Sequence, residues 1–216
     1  MCFGPTASFT ASAALTAVGV ASLKKARSKK ELLFAALPVF FAAQQFIEGV
    51  LWLALQRGQA RLEHELTFAY FLFAYFFWPI FFPASVYLLE PEKERQRIIL
   101  PLIFLGIGTS SYLFYFILKD PFRAFAVNCS LHYQTTAHRP YLLIAFYLAS
   151  TFIPYLLSSY KPVVMLGVIN IIFCGIAYYF YHSGFDSVWC YFAAALSIGV
   201  YFFIRGLHGK EMPSIA

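Results

Sequence analysis

The chain has 216 residues, of which 61% are hydrophobic and 12% charged, and its formal net charge is +6. About a quarter of an ordinary soluble domain is charged, so this chain lacks the polar residues to cover a soluble globule. The positive balance does not point to nucleic acid either, because the basic residues are scattered at segment ends rather than gathered on one polar face.

What remains is a row of about seven apolar segments of membrane-spanning length, which predicts an all-α, multi-pass bundle with the lipid bilayer as its solvent. The first, about Ala7 to Leu23, is rich in Ala, Ser, Thr and Gly and carries its charge behind it, as KKARSKK. A secretory signal would carry that charge in front, so the segment reads as a retained span whose small residues suit close helix packing. The later spans are predicted at about Glu31 to Leu55, Leu66 to Leu89, Ile98 to Leu118, Tyr141 to Ser158, Pro162 to Tyr181 and Val188 to Ile204. Residues 1–208 would then form one transmembrane domain and 209–216 a short cytoplasmic tail, with no room for a soluble catalytic domain. The first loop holds Lys24, Lys25, Arg27, Lys29 and Lys30, against Arg57 and Arg61 in the next. That bias predicts an amino terminus outside and a carboxyl terminus in the cytoplasm.

The second span contains QQFIEGVLW, in which Gln44 and Glu48 are four apart and share a helix face, with Trp52 one turn further on. Glu48 is the one carboxylate well inside a predicted span, and an ionisable residue at that depth marks a functional site by default. The alternative is a protonated Glu48 that bonds a neighbouring helix, with Gly49 allowing close approach. In the third span, YFLFAYFFWPIFFP is dense in aromatics around Trp78, and Pro79 and Pro83 should break its hydrogen bonding. It could form a wall for a flat apolar ligand or simply fill the bundle.

His64, His132, His138 and His182 fall on the predicted outer side, and Asp186 follows His182 by four residues, with Gly184 between them as a helix breaker. With Glu48 these residues form an imidazole and carboxylate set of the kind that holds zinc, although no HExxH or paired CxxC is present. Cys2 and Cys129 also fall outside and could pair in an oxidising compartment, while Cys190 lies near the outer end of the last span. The last span has no lysine for a retinal Schiff base, and no histidine lies deep enough to ligate haem.

The opening MCFGPTASFTASA, the QQFIEGVLW, the FFWPIFFP and the SVWCYFAA of the last span resemble an uncharacterised family of small bacterial multi-span membrane proteins. Its members open Met-Cys-Phe-Ser-Ala, where this chain has Gly4 and Pro5. The resemblance implies a seven-helix protein of the bacterial cytoplasmic membrane and marks Cys2, Gln45, Glu48, Trp52, Trp78, Trp189 and Cys190 as shared, but it carries no activity. The span count and lone intramembrane acid are also similar to the seven-span ceramidase and adiponectin-receptor hydrolases, whose paired histidines on the last helix are missing here.

Three functions fit. One is a membrane-embedded, metal-dependent hydrolase acting from the outer face on an apolar or lipid substrate, with Glu48 and Asp186 catalytic and His132 and His182 on zinc. Another is a small proton- or cation-coupled transporter using Glu48, Gln44 and Asn170. The last is a non-catalytic membrane subunit or sensor.

Overall fold

The computed structural model describes residues 4–127, 130–136 and 140–208. The candidate cysteine pair, His138 and the carboxyl-terminal tail lie outside the described residues in whole or part, since Cys2, Cys129 and 209–216 do. Six helices are long and apolar enough to cross a membrane: α1 (Pro5–Lys25), α2 (Lys29–Gln56), α3 (Ala60–Leu89), α4 (Lys93–Lys119), α6 (Lys161–Phe180) and α7 (His182–Leu207). The seventh predicted span, α5 (Tyr141–Leu156), is apolar but shorter. At about 1.5 Å per residue it reaches roughly 24 Å, less than the hydrocarbon core of a bilayer.

Two differences from expectation shape the site. The stretch between α4 and α5, expected as a loop, contains an antiparallel hairpin of β1 (Phe122–Val127) and β2 (Ser130–Thr135), in which Ala124 faces Tyr133 and Phe125 faces His132. The last helix begins at His182 rather than Val188, because a 3-10 turn, His182–Gly184, runs straight into the α-helix starting at Phe185. The helical break expected at Gly184 sits instead at Tyr181, where α6 ends.

Local chemistry explains the elements. Helix α1 buries Ser8, Ser12, Leu15, Gly19 and Ser22, a stripe at three- and four-residue spacing. A Cβ at Gly19 would overlap Val39 of α2, and Ser12 Oγ donates to the Ala42 carbonyl over 2.9 Å, so the small residues do bring two backbones together. Helix α2 ends on Gly58 at φ +64°, with Gln59 N–H returning to the Ala54 carbonyl, the six-to-one bond of a Schellman cap.

In α3 a π-helical segment, Leu72–Phe77, precedes Pro79 and a fresh α-helix starts at Trp78, while Pro83, expected to break the helix as well, sits inside that α-helix. A proline removes the donor for a carbonyl one turn back, and neighbouring helices satisfy what is left. Tyr147 of α5 donates to the Ala74 carbonyl over 2.6 Å and Ser110 of α4 to the Phe76 carbonyl over 2.9 Å. Gly106 of α4 lies so close to the Pro79 carbonyl that a Cβ there would overlap its oxygen. The second part of the aromatic run is bundle core, where Trp78, Phe81 and Phe82 pack with Phe41, Phe34 and Tyr155, whereas Tyr75 in its first part lines a cavity.

The two ends of the bundle are joined differently. At one end His208, closing α7, meets Glu31 of α2, and Glu90 after α3 meets Ser159 between α5 and α6. At the other end the hairpin covers the bundle, burying Leu131 and Ala124 against Leu51 and Trp52.

Candidate functional site

The site lies at the hairpin end and joins two of the segments that carry the resemblance, QQFIEGVLW and SVWCYFAA, to the hairpin. On α2 the residues Gln44, Gln45, Glu48 and Trp52 share one buried face, as their spacing requires. Glu48 is 2% exposed and accepts a hydrogen bond from Gln45 Nε2 over 3.1 Å and one from the Tyr133 hydroxyl over 3.0 Å. Ser187 of α7 faces the same carboxyl. Gln44 accepts from the Trp78 indole over 2.8 Å, which clamps α2 to the start of the second half of α3. Trp189 of α7 makes the parallel clamp to Asn170 of α6 over 3.0 Å. Gln44 and Asn170, expected along a transport route, therefore each engage an indole.

The hairpin decides which neighbour reaches Glu48. Side chains alternate along β2, so Leu131 and Tyr133 face the bundle while His132 faces the other way, its ring 5.4 Å from Phe125. Tyr133 stacks on Tyr70 of α3 at 4.0 Å with ring planes 3° apart, which aims its hydroxyl at Glu48. Enclosure of that phenol, with the Glu48 carboxyl beside it, raises its pKa well above the ordinary value, so Tyr133 stays a donor. Burial moves the His132 imidazole the opposite way, below its ordinary value.

Several polar atoms in this layer are left over. Gln44 Nε2, Gln45 Oε1 and the Tyr70 hydroxyl are buried without a hydrogen bond of normal geometry. The Cys190 thiol, a weak partner at best, is what faces Tyr70 and Gln44. Buried polar groups are nearly always paired, so such a cluster is an uncommon feature for a stable core.

Next to this layer, separated from Glu48 by Tyr133 and Cys190, a cavity of about 640 Å³ opens between α3, α4, α5, α6, α7 and the hairpin. Asp186 lines it and accepts from the Tyr75 hydroxyl over 2.8 Å, and His182 lines it with its ring 5.3 Å from that of Tyr178. The early start of α7 puts both residues on its first turns, so they share one cavity. Cys174 and Cys190 line it as free thiols. Tyr141, Ile144 and Tyr178 form an exposed rim, which sets the mouth between α5 and α6.

Zinc needs three or more protein ligands converging on one point. Among the described residues no group of three His, Cys, Asp or Glu comes together to hold a metal ion. His182 lines the cavity, whereas His132 does not and projects from the outward face of the hairpin. The described residues do not fit a zinc centre.

Sequence reasoning missed Tyr133, Tyr75 and Ser187. The signal for Tyr133 was available in the alternation of SLHYQT, which marks a half-buried strand; Tyr75 and Ser187 become partners of the two acids only through the packing of α3 and α7. Neither a curated protein nor a solved structure matches the chain. A family model does match, over residues 1–213, and the chain belongs to that family of unknown function, DUF6629.

Proposed function

We propose that this protein takes an apolar or lipid-like molecule from the membrane into the cavity beside α5, with the molecule's polar end at Asp186 and His182. The observation that carries this reading is the composition of that cavity: a volume of about 640 Å³ with largely apolar and aromatic walls and a hydrogen-bonded carboxylate at one side. Sites for drug-sized molecules have this size and this pairing of apolar wall with a few polar groups. Its mouth lies between α5 and α6, at the exposed apolar and aromatic side chains of Tyr141, Ile144 and Tyr178.

In the enzymatic form of the reading, a hydrolase-like reaction takes place at the polar end. Asp186 accepts a proton from a water that attacks the substrate's ester carbonyl and returns it to the departing alcohol as the acyl–oxygen bond breaks, while Glu48 positions the Tyr133 phenol, which touches both the cavity and the buried carboxyl. Basic residues around the first loop favour an outer location for the hairpin end, in a bacterial cytoplasmic membrane. Labelling of Lys24 and Lys25 by an impermeant amine reagent on intact cells would reverse that orientation.

The test uses Gly175 of α6, which lines the cavity and has nothing within 4 Å of where a Cβ would stand. Native mass spectrometry of the purified wild type should show a bound lipid-like mass, and Gly175→Phe should lose it. An empty wild type, or a variant that keeps the mass, overturns the reading. Release of product from lipid esters by wild type and not by Asp186→Asn would establish the enzymatic form.

A further inference from the structure

The hydrogen-bond inventory of the cavity wall specifies the charge of its occupant, and the inference rests on the reading just given. Three tyrosine hydroxyls of the wall already donate within the protein: Tyr75 to Asp186, Tyr133 to Glu48 and Tyr147 to the Ala74 carbonyl. The indole N–H of Trp189 is likewise engaged, with Asn170. The wall's inner part therefore offers few donors. It offers acceptors, namely the Asp186 carboxylate and hydroxyl lone pairs, together with the aromatic rings of Tyr75, Tyr133, Tyr147, Phe185 and Trp189.

No Lys or Arg is among the described residues that line the cavity, and the one basic side chain there, His182, lies against the Tyr178 ring. A second carboxyl, Glu48, stands one phenol away. An anionic head group would meet the Asp186 carboxylate, and the remaining donors, His182, Ser183 and the rim hydroxyls of Tyr141 and Tyr178, include no fixed cation. A positively charged head would meet a carboxylate and several electron-rich rings, the combination that recognises quaternary and protonated amines.

We infer that the cavity binds an organic cation with an apolar body, its charged end held between Asp186 and the surrounding aromatic rings. The carboxylate supplies the charge, the rings desolvate it, and the apolar remainder of the wall holds the body. The same arrangement discriminates against an anion of equal shape, because that anion would be placed next to Asp186 with no lysine or arginine in the wall to offset it.

Tetraphenylphosphonium and tetraphenylborate, alike in shape and opposite in charge, separate these possibilities. Binding is measured by equilibrium dialysis on the full chain in lipid nanodiscs, with protein-free nanodiscs subtracted. The phosphonium should bind saturably and at least about tenfold more tightly than the borate. Asp186→Asn, which keeps an acceptor for Tyr75, should weaken the phosphonium about tenfold and leave the borate unchanged or improved. Gly175→Phe should remove saturable binding. Equal binding of both ions, unaffected by Asp186→Asn, overturns the cationic occupant while leaving the cavity reading intact. Failure to bind the phosphonium by protein that carries a bound mass lost in Gly175→Phe does the same. Failure to bind either ion by protein that carries no mass overturns both.

Discussion

The two ends of the bundle each bury carboxylates, and they treat them in opposite ways. At the end formed by the α1–α2, α3–α4 and α5–α6 connections, Glu31 accepts from Arg27 N–H, Ser28 Oγ and the His208 ring, each over 2.8 Å. Glu90, fully buried, accepts from Ser159 N–H over 2.8 Å, from the Ser159 hydroxyl and from Glu92 N–H over 3.3 Å. Arg95 adds a bond to the Leu157 carbonyl over 2.9 Å. The acceptors there are satisfied by backbone donors and local caps, which join loops. At the hairpin end Glu48 and Asp186 are held by side-chain donors only, beside unpaired polar atoms and a cavity. Burial alone therefore does not mark a functional acid. The identity of its donors and the presence of spare volume do.

Substitutions should separate these roles, and the largest effect belongs to the loop-joining end. Glu90→Ala leaves the Ser159 donors unsatisfied in a closed environment and should destabilise the fold by about 3 kcal/mol, as read by denaturant titration of the purified protein. The folded fraction should still carry the cavity's bound mass. Equal losses of stability and binding would erase the distinction between the ends.

Glu48→Gln is the converse. It keeps the acceptor for Tyr133 and should cost about 1 kcal/mol of stability, yet abolish any reaction that needs the carboxylate. Retained activity would assign Glu48 to packing. Tyr133→Phe removes a single donor to that acid and should also cost about 1 kcal/mol, while the ring keeps its stack on Tyr70. A larger loss would mean that the hairpin, not the hydroxyl, is the principal support of the site.

The smallest expected effect is a pH dependence. Burial lowers the His132 pKa in the folded chain, so the unfolded chain takes up a proton first as the solution is acidified. The contribution is complete above about pH 6.5 and declines as pH falls below it, levelling off once the folded imidazole also titrates. His132→Gln should flatten this slope in stability measured between pH 7 and 5 while leaving binding to the cavity unchanged. Loss of binding in that variant would bring His132 back into the site.

How much of this was legible depends on the range of the interaction. The helical spans were readable because lipid demands that each segment satisfy its own backbone, so apolar length alone marks a helix. The face of α2 was readable as well: Gln44, Glu48 and Trp52 share a side by the 3.6-residue period, and all three are buried. The small-residue stripe of α1 and the disruption of α3 ahead of Pro79 follow from similarly local rules. The hairpin was overlooked because strand alternation in a six-residue stretch competes poorly with the strong helical signal on both sides.

The sequence by itself determined the solvent, the helices and the acid on α2, since hydropathy, periodicity and proline act within a few residues of where they are written. Tertiary structure alone decided that His208 closes on Glu31, that Glu90 meets Ser159, that Tyr133 rather than His132 reaches Glu48, and that Tyr75 meets Asp186 beside a cavity. Each of those outcomes joins positions far apart in the chain, and a partner's identity is set by packing between elements whose own local patterns carry no record of it.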